Sequence, residues 1–262
     1  MTILRHELRR GKTALLIWTG VIALLLAICI FLFPEMKKEM ESISETFASM
    51  GSFTAAFGMD RLSFGTLTGY YAIECGNVLG LGGAFFASLI AAAMLSKEEK
   101  GRTAEFLLTH PVSRTRIVTE KLAALIIQIL AMNLMIWLVS AGSMLAVGEE
   151  VPWKEVGLMH LSYLLLQIEL CGICFGISAF ISRGSLGIGL GIAALMYFMN
   201  LISNIAEAAE PLKYITPFAY CSGADIVTNG TLDWSLVAIG CGFTAAGIAA
   251  AYIKYLKKDI AA

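Results

Sequence analysis

Apolar runs too long for the core of a soluble domain dominate this sequence. The first covers residues 13–33 without a charged side chain. As a helix it would extend over about 30 Å, which is the thickness of the hydrocarbon core of a bilayer. Six such spans are predicted, at residues 13–33, 70–95, 117–147, 156–181, 186–206 and 234–255. The predicted fold class is therefore an all-α integral membrane protein with a single transmembrane domain over residues 1–262.

Composition supports a protein surrounded by lipid. Apolar residues make up 58% of the chain and charged residues only 15%, and the mean hydropathy is +0.76. A soluble domain carries about 25% charged residues. The formal net charge of -1 gives no reason to expect a nucleic-acid partner, so membrane lipid is the expected surrounding.

The distribution of basic residues predicts the orientation. When the N-terminus is placed in the cytoplasm, the inside segments hold fourteen of the nineteen Lys and Arg residues. The positive-inside rule therefore favours both termini in the cytoplasm. We expect a multi-pass protein of the bacterial cell membrane.

Prolines and aromatic residues suggest how two segments at the predicted outer side are built. Pro34 is expected to end the first helix, since proline lacks the backbone donor that a helix needs. The segment 207–233 carries two prolines and three aromatic residues but few charges, which is too apolar for a freely solvated loop. It is predicted to dip back towards the membrane, as a re-entrant segment before the last helix.

Polar side chains inside the predicted spans are candidates for a substrate pathway. A charged group within a bilayer costs about 2.5–3.5 kcal/mol on insertion scales, so it needs a partner or a wet cavity. Glu169 lies near the middle of the fourth span, and Glu74 lies near the outer end of the second. The other polar candidates are Gln167, Asn133, Asn200 and Asn204. Lining of a substrate route and hydrogen bonding between helices both remain open for this set.

The densest charge cluster lies in the predicted cytoplasmic loop at residues 96–116. This loop combines carboxylates with an apolar ridge, and Pro111 would stop a helix before Ser113 caps the next one. Such a loop is either an ordinary positive-inside connection or a docking element for another protein. The residues that would dock are the carboxylates Glu98, Glu99 and Glu105 and the apolar side chains Phe106, Leu107 and Leu108.

The order of these residues resembles the first cytoplasmic loop of ATP-binding-cassette (ABC) export permeases of the second type. The family pattern is E-E-…-G-T-x-E-x-L-L-x-x-P-x-S-R-…-K, and the chain departs from it where Arg102 stands before Thr103 in place of glycine. The resemblance implies that the loop forms a coupling helix seated on a cytoplasmic ABC ATPase, present in two copies. It adds Thr103, Pro111, Ser113, Arg114 and Lys121 to the residues expected to take part in coupling. It also implies a second permease subunit, either identical or a paralogue, and export of an amphipathic or hydrophobic cargo such as a peptide or drug-like compound.

Nothing in the sequence predicts an enzyme or a metal site. The only Gly-Lys-Thr is Gly11-Lys12-Thr13, and a phosphate-binding loop needs a further glycine where His6 stands. No cofactor is therefore expected on this chain, and ATP with Mg²⁺ is expected on the partner ATPase. The pair Cys171 and Cys174 has metal-ligand spacing, but without a second pair or a nearby histidine it favours helix packing.

Two other function classes share features with this sequence. Glu98-Glu99 followed by Arg102 is similar to the glutamate–arginine motif of intramembrane prenyl-protein proteases, but that motif has one more residue before the arginine. A secondary transporter would be expected to show internal repeats and several intramembrane ionisable groups, whereas Glu169 is the only convincing one here. A permease driven by a separate ATPase is the preferred interpretation, and a membrane anchor without transport is a minor alternative.

Overall fold

Six long helices make up most of the structure, which is a computed structural model. The structure describes residues 2–39, 51, 54, 56, 59, 61–101, 112–181 and 186–258. Each of the six is long and apolar enough to cross a membrane, and no strand occurs within those residues. This confirms the predicted all-α membrane fold with six transmembrane helices. The helices are α1 (Thr2–Lys38), α2 (Leu67–Ala92), α3 (Arg114–Val147), α4 (Trp153–Ser178), α5 (Leu186–Ile205) and α6 (Trp234–Lys257).

The first helix is longer than the apolar run predicts. It continues through Pro34 to Lys38, so the prediction that Pro34 ends it is wrong. Proline removes a single backbone donor and does not stop the helix here, and two exposed ion pairs accompany the turn that follows it. Lys38 Nζ lies 2.7 Å from Glu35 Oε1, and Lys37 Nζ lies 2.7 Å from Glu149 Oε1, beyond the end of α3.

At its other end, α1 starts at Thr2 rather than near residue 13. A helix of 37 residues is about 55 Å long, whereas the hydrocarbon core is about 30 Å thick. The first turns of α1, which carry Arg5, Glu7, Arg9 and Arg10, therefore extend past the hydrocarbon at the predicted cytoplasmic end.

The helices pack as two pairs with α2 between them. α1 packs along α3, α4 packs along α6, and α2 contacts α1, α4 and α5. α4 is the most enclosed helix, with 67% of its apolar window buried, whereas the corresponding value for α5 is 11%. α4 therefore forms the centre of the bundle and α5 its edge.

Small residues allow α4 and α6 to approach closely. A Cβ built on Gly247 of α6 would lie 2.4 Å from the carbonyl oxygen of Gly172, and one built on Gly176 would lie 2.6 Å from the carbonyl oxygen of Gly247. The opposing atoms are backbone, which cannot move aside as a flexible side chain can. Close backbone approach through glycine is a common basis of helix packing in membranes.

The segment between α5 and α6 lies against the predicted outer end of the bundle. Its first part, the 3₁₀ helix Glu207–Tyr214, has no buried residue. Its second part is buried at Phe218, Tyr220 and Ile226. The Tyr163 hydroxyl of α4 donates to the Cys221 carbonyl at 3.2 Å, which holds this part inside the bundle. The apolar second half thus turns inward, as the composition predicts.

Candidate functional site

Lys121 lies at the centre of a group of charged side chains where α1, α2, α3 and α6 meet at the predicted cytoplasmic end. It follows Ile117 by one turn of α3, so both face the interior. Its Nζ donates to Glu98 Oε1 at 2.5 Å and to the Met94 carbonyl at 2.7 Å, and it lies 3.4 Å from Glu7 Oε1. The lysine itself is fully buried. A buried ammonium needs such partners, because desolvation of an unpaired charge is costly.

A second lysine approaches Glu7 from the short helix Lys97–Lys100. Lys97 Nζ contacts Glu7 Oε2, and the Glu7 side chain is almost fully buried. Burial, followed by the repulsion of the neighbouring Lys121 ammonium, lowers the pKa of Lys97 from its usual range despite the contact with Glu7. As pH rises, Lys97 will therefore lose its charge earlier than a solvated lysine.

The end of α6 is bound to the same region. Lys258 Nζ lies 2.6 Å from Glu99 Oε1, and both side chains are largely buried. Arg114, the first residue of α3, donates from Nη1 to the Lys258 carbonyl at 2.6 Å and approaches the Tyr255 and Leu256 carbonyls. The last carbonyls of a helix have no partner within it, so Arg114 caps the end of α6. We call these seven residues the basal ion cluster: Glu7, Lys97, Glu98, Glu99, Arg114, Lys121 and Lys258.

The basal ion cluster includes residues at both ends of the loop predicted to couple to an ATPase. Glu98, Glu99 and Arg114 lie within the predicted loop 96–116 and Lys121 follows it, so four of the predicted coupling residues lie in the cluster. Ser113 caps α3, as predicted, by accepting a hydrogen bond from the Arg116 backbone N–H. The other predicted coupling residues lie outside the described residues: Thr103, Glu105, Phe106, Leu107, Leu108 and Pro111.

Two of the predicted pathway residues form a hydrogen-bonded pair between α3 and α4. Asn133 Nδ2 donates to Gln167 Oε1 at 2.6 Å, and both residues are buried. Gly83 of α2 makes room for this pair, because a Cβ there would lie 2.2 Å from Gln167 Nε2. The pair therefore stands where three helices meet.

Glu169 lies two residues after Gln167 on α4, about half a turn further round the helix, and faces α6 instead. The Tyr220 hydroxyl donates to Glu169 Oε2 at 3.0 Å, and Gly240 of α6 lies directly opposite. Glu169 also lines a groove of about 230 Å³ between α4 and α6. The carboxylate thus occupies the inner end of an otherwise apolar groove.

The remaining pathway candidates lie elsewhere. Asn200 and Asn204 of α5 line a smaller pocket of about 80 Å³ that also includes Arg61, and Asn204 Nδ2 donates to the Ala56 carbonyl at 3.0 Å. Glu74 Oε2 accepts from Cys29 Sγ at 3.5 Å, between α2 and α1. The six predicted residues are therefore distributed over four places in the bundle.

Sequence reasoning missed several members of these sites. Glu7, Lys97 and Lys258 complete the basal ion cluster, and Tyr220 is the partner of Glu169. Glu7 could have been noticed as the single acidic residue within the basic segment 5–12. Within the described ranges no group of His, Cys, Asp or Glu side chains could hold a metal ion, and Cys171 and Cys174 are buried free thiols.

A family model described as ABC-2 family transporter protein matches residues 1–260. The chain belongs to the ABC-2 transporter family. No curated protein matches it. As an ABC-2 family member it is a multi-pass membrane permease, and the basal ion cluster is the part of this ABC-2 permease that borders the loop resembling the family's coupling loop.

Proposed function

We propose that this permease is the membrane-spanning subunit of an ATP-driven exporter in the bacterial cell membrane, with both termini in the cytoplasm. Two copies of a separate cytoplasmic ABC ATPase bind ATP with Mg²⁺, and a second permease subunit, identical or paralogous, completes the pathway. The cargo is an amphipathic or hydrophobic compound, such as a peptide or a drug-like molecule. The observation that carries the proposal is that Glu98, Glu99 and Arg114, at the two ends of the predicted coupling loop 96–116, are bound within the basal ion cluster. We call these ends the loop roots.

That attachment supports mechanical coupling for an electrostatic reason. Glu98 and Glu99 bind cations of α3 and α6, and Arg114 binds the end of α6. Breaking a buried ion pair by removing one partner costs about 3–5 kcal/mol, so the loop roots and the helix ends stay together. A displacement of the loop by an ATPase would then move several helix ends at once, as switching between two access states requires.

The apolar character of the bundle supports the type of cargo. The groove beside Glu169 is lined by Leu165, Ile168, Val237 and Ile248, with one carboxylate at its inner end. Such a surface suits a molecule that is largely apolar with a small polar part. It does not suit a small inorganic ion, which would need several polar ligands.

Charge reversal in the loop tests the coupling. Glu105→Lys should reduce co-purification of the ATPase by at least about tenfold, because close charge pairs at interfaces contribute about 1.5–7 kcal/mol. The double variant Leu107→Ala with Leu108→Ala should reduce it as well, because it removes the apolar ridge of the loop. The protein is purified gently from its native host, and the ATPase activity that co-purifies is measured. Membrane insertion should be unchanged.

The matched control is Glu35→Lys, the same charge reversal on an exposed glutamate at the opposite end of α1. This control should retain normal ATPase recovery. If Glu105→Lys recovers as much active ATPase and transports as well as the control, the loop is not the coupling element. If no nucleotide-binding subunit co-purifies even with the unmodified protein, the proposed ATP-driven function is wrong.

A further inference from the structure

Glu169 has few polar partners for a buried carboxylate. It is 3% exposed, and the partner that the described residues provide is the Tyr220 hydroxyl at 3.0 Å. A carboxylate can accept about four hydrogen bonds, and a charge inside a bilayer needs compensation. One phenol hydroxyl therefore leaves most of the hydrogen-bonding capacity of Glu169 unused.

Gly240 makes room for this carboxylate on the facing side of α6. A Cβ at that position would lie 2.1 Å from Glu169 Oε2 and 3.3 Å from a Tyr220 ring carbon. Any larger residue would force the carboxylate or the tyrosine to move. The glycine thus allows the carboxylate to lie against α6 where both residues line the groove.

The groove runs from Glu169 to the outer surface of the bundle. Its walls are the apolar side chains of α4 and α6, and Cys241 and Ala245 at its rim are exposed. In a membrane the rim faces the lipid tails or a neighbouring subunit. A molecule dissolved in the bilayer can therefore reach Glu169 without passing through the centre of the helix bundle.

We propose that this groove binds a lipophilic amine, with the ammonium against Glu169 and the apolar chain along α6. The ammonium would donate charged hydrogen bonds to the carboxylate, and the apolar chain would pack against the groove walls. The hydrocarbon tail of a lipid would supply no such donor. Pockets that enclose drug-sized ligands measure about 300–1,000 Å³, so a groove of about 230 Å³ holds the amine end while the rest of the ligand stays in lipid. The inference deepens the proposed function, because it names the class of cargo.

Binding is measured on the purified permease in lipid nanodiscs, without any ATPase. The probe is a dodecyl chain with a dansyl group at one end and a primary amine at the other, and the matched neutral probe carries a hydroxyl in place of the amine. After subtraction of the signal from empty nanodiscs, the amine should bind at least about tenfold more tightly than the alcohol, a difference of about 1.4 kcal/mol.

Glu169→Gln should abolish this preference while leaving the alcohol unchanged, because it removes the charge but keeps the shape. Glu155→Gln, the same change in the first turn of α4, should retain the preference. Tyr220→Phe keeps the carboxylate and should also retain it, provided that all variants elute as folded protein on size exclusion.

Three outcomes would overturn the proposal. Equal affinity for amine and alcohol in the unmodified protein would make the groove an ordinary lipid contact. A preference that survives Glu169→Gln would place the amine elsewhere. Absence of any binding, together with oxidative cross-linking of Cys241 between two permeases, would show that a second copy covers the groove. None of these results depends on the ATPase co-purification described above, so each proposal can fail independently.

Discussion

Replacing Lys121 by methionine should destabilise the protein by about 3–5 kcal/mol, the usual cost of removing one partner of a buried ion pair. Its ammonium lies 2.5 Å from Glu98 and 3.4 Å from Glu7, and it is fully buried. Methionine fills nearly the same volume but removes the cation that these two carboxylates share. The measurement is the free energy of unfolding in mixed micelles of a mild detergent and dodecyl sulfate.

Lys38→Met is the matched control, because Lys38 pairs with Glu35 at the surface and both side chains are largely exposed. Exposed pairs contribute less than about 1 kcal/mol, so this variant should unfold almost normally. Adding Glu98→Gln to Lys121→Met should recover part of the lost stability. Equal unfolding of Lys121→Met and Lys38→Met would show that the basal ion cluster does not hold the loop roots.

Gly247→Val should cost about 3 kcal/mol, near the upper end of the range for overpacking a well-packed interior. Its Cβ would meet the carbonyl oxygen of Gly172 at 2.4 Å, and backbone atoms cannot rotate away. α4 and α6 would have to separate along the contact that also shapes the groove beside Glu169. The same unfolding titration measures this loss.

Gly242→Val provides the comparison on the same helix, since a Cβ at Gly242 meets no atom within 4 Å. This variant adds the same side chain to α6 without contacting a neighbouring helix, so the free energy of unfolding of the protein should change by less than about 1 kcal/mol. If both valine variants unfold alike, the close approach of α4 and α6 contributes nothing measurable.

The six helices could be predicted because each is a long apolar run, and the length of a run is a local property of the sequence. The ends of the helices were less predictable. The final turn of α1 after Pro34 is accompanied by the pair Lys37 and Glu149, which are far apart in sequence. A local rule about proline does not include such a contact.

The candidate site was predictable in part for the same reason. Glu98, Glu99, Arg114 and Lys121 follow from a linear motif, but their burial with Glu7 and Lys258 depends on how the two ends of the chain pack together. Tyr220 is likewise 51 positions from Glu169, and no local pattern joins them. The coupling role of the loop 96–116 remains a prediction from the resemblance.

The length of α1 has a consequence for how the bundle can move. Near its start, Glu7 is bound to Lys121 of α3, and near its end, Lys37 is bound to Glu149, just beyond α3. These two attachments are about 45 Å apart along the helix axis. α1 also packs along α3 between these two points, so we expect the two helices to move together as one unit. A displacement of their cytoplasmic ends, as the proposed coupling requires, would then be carried along both helices towards the outer side of the membrane.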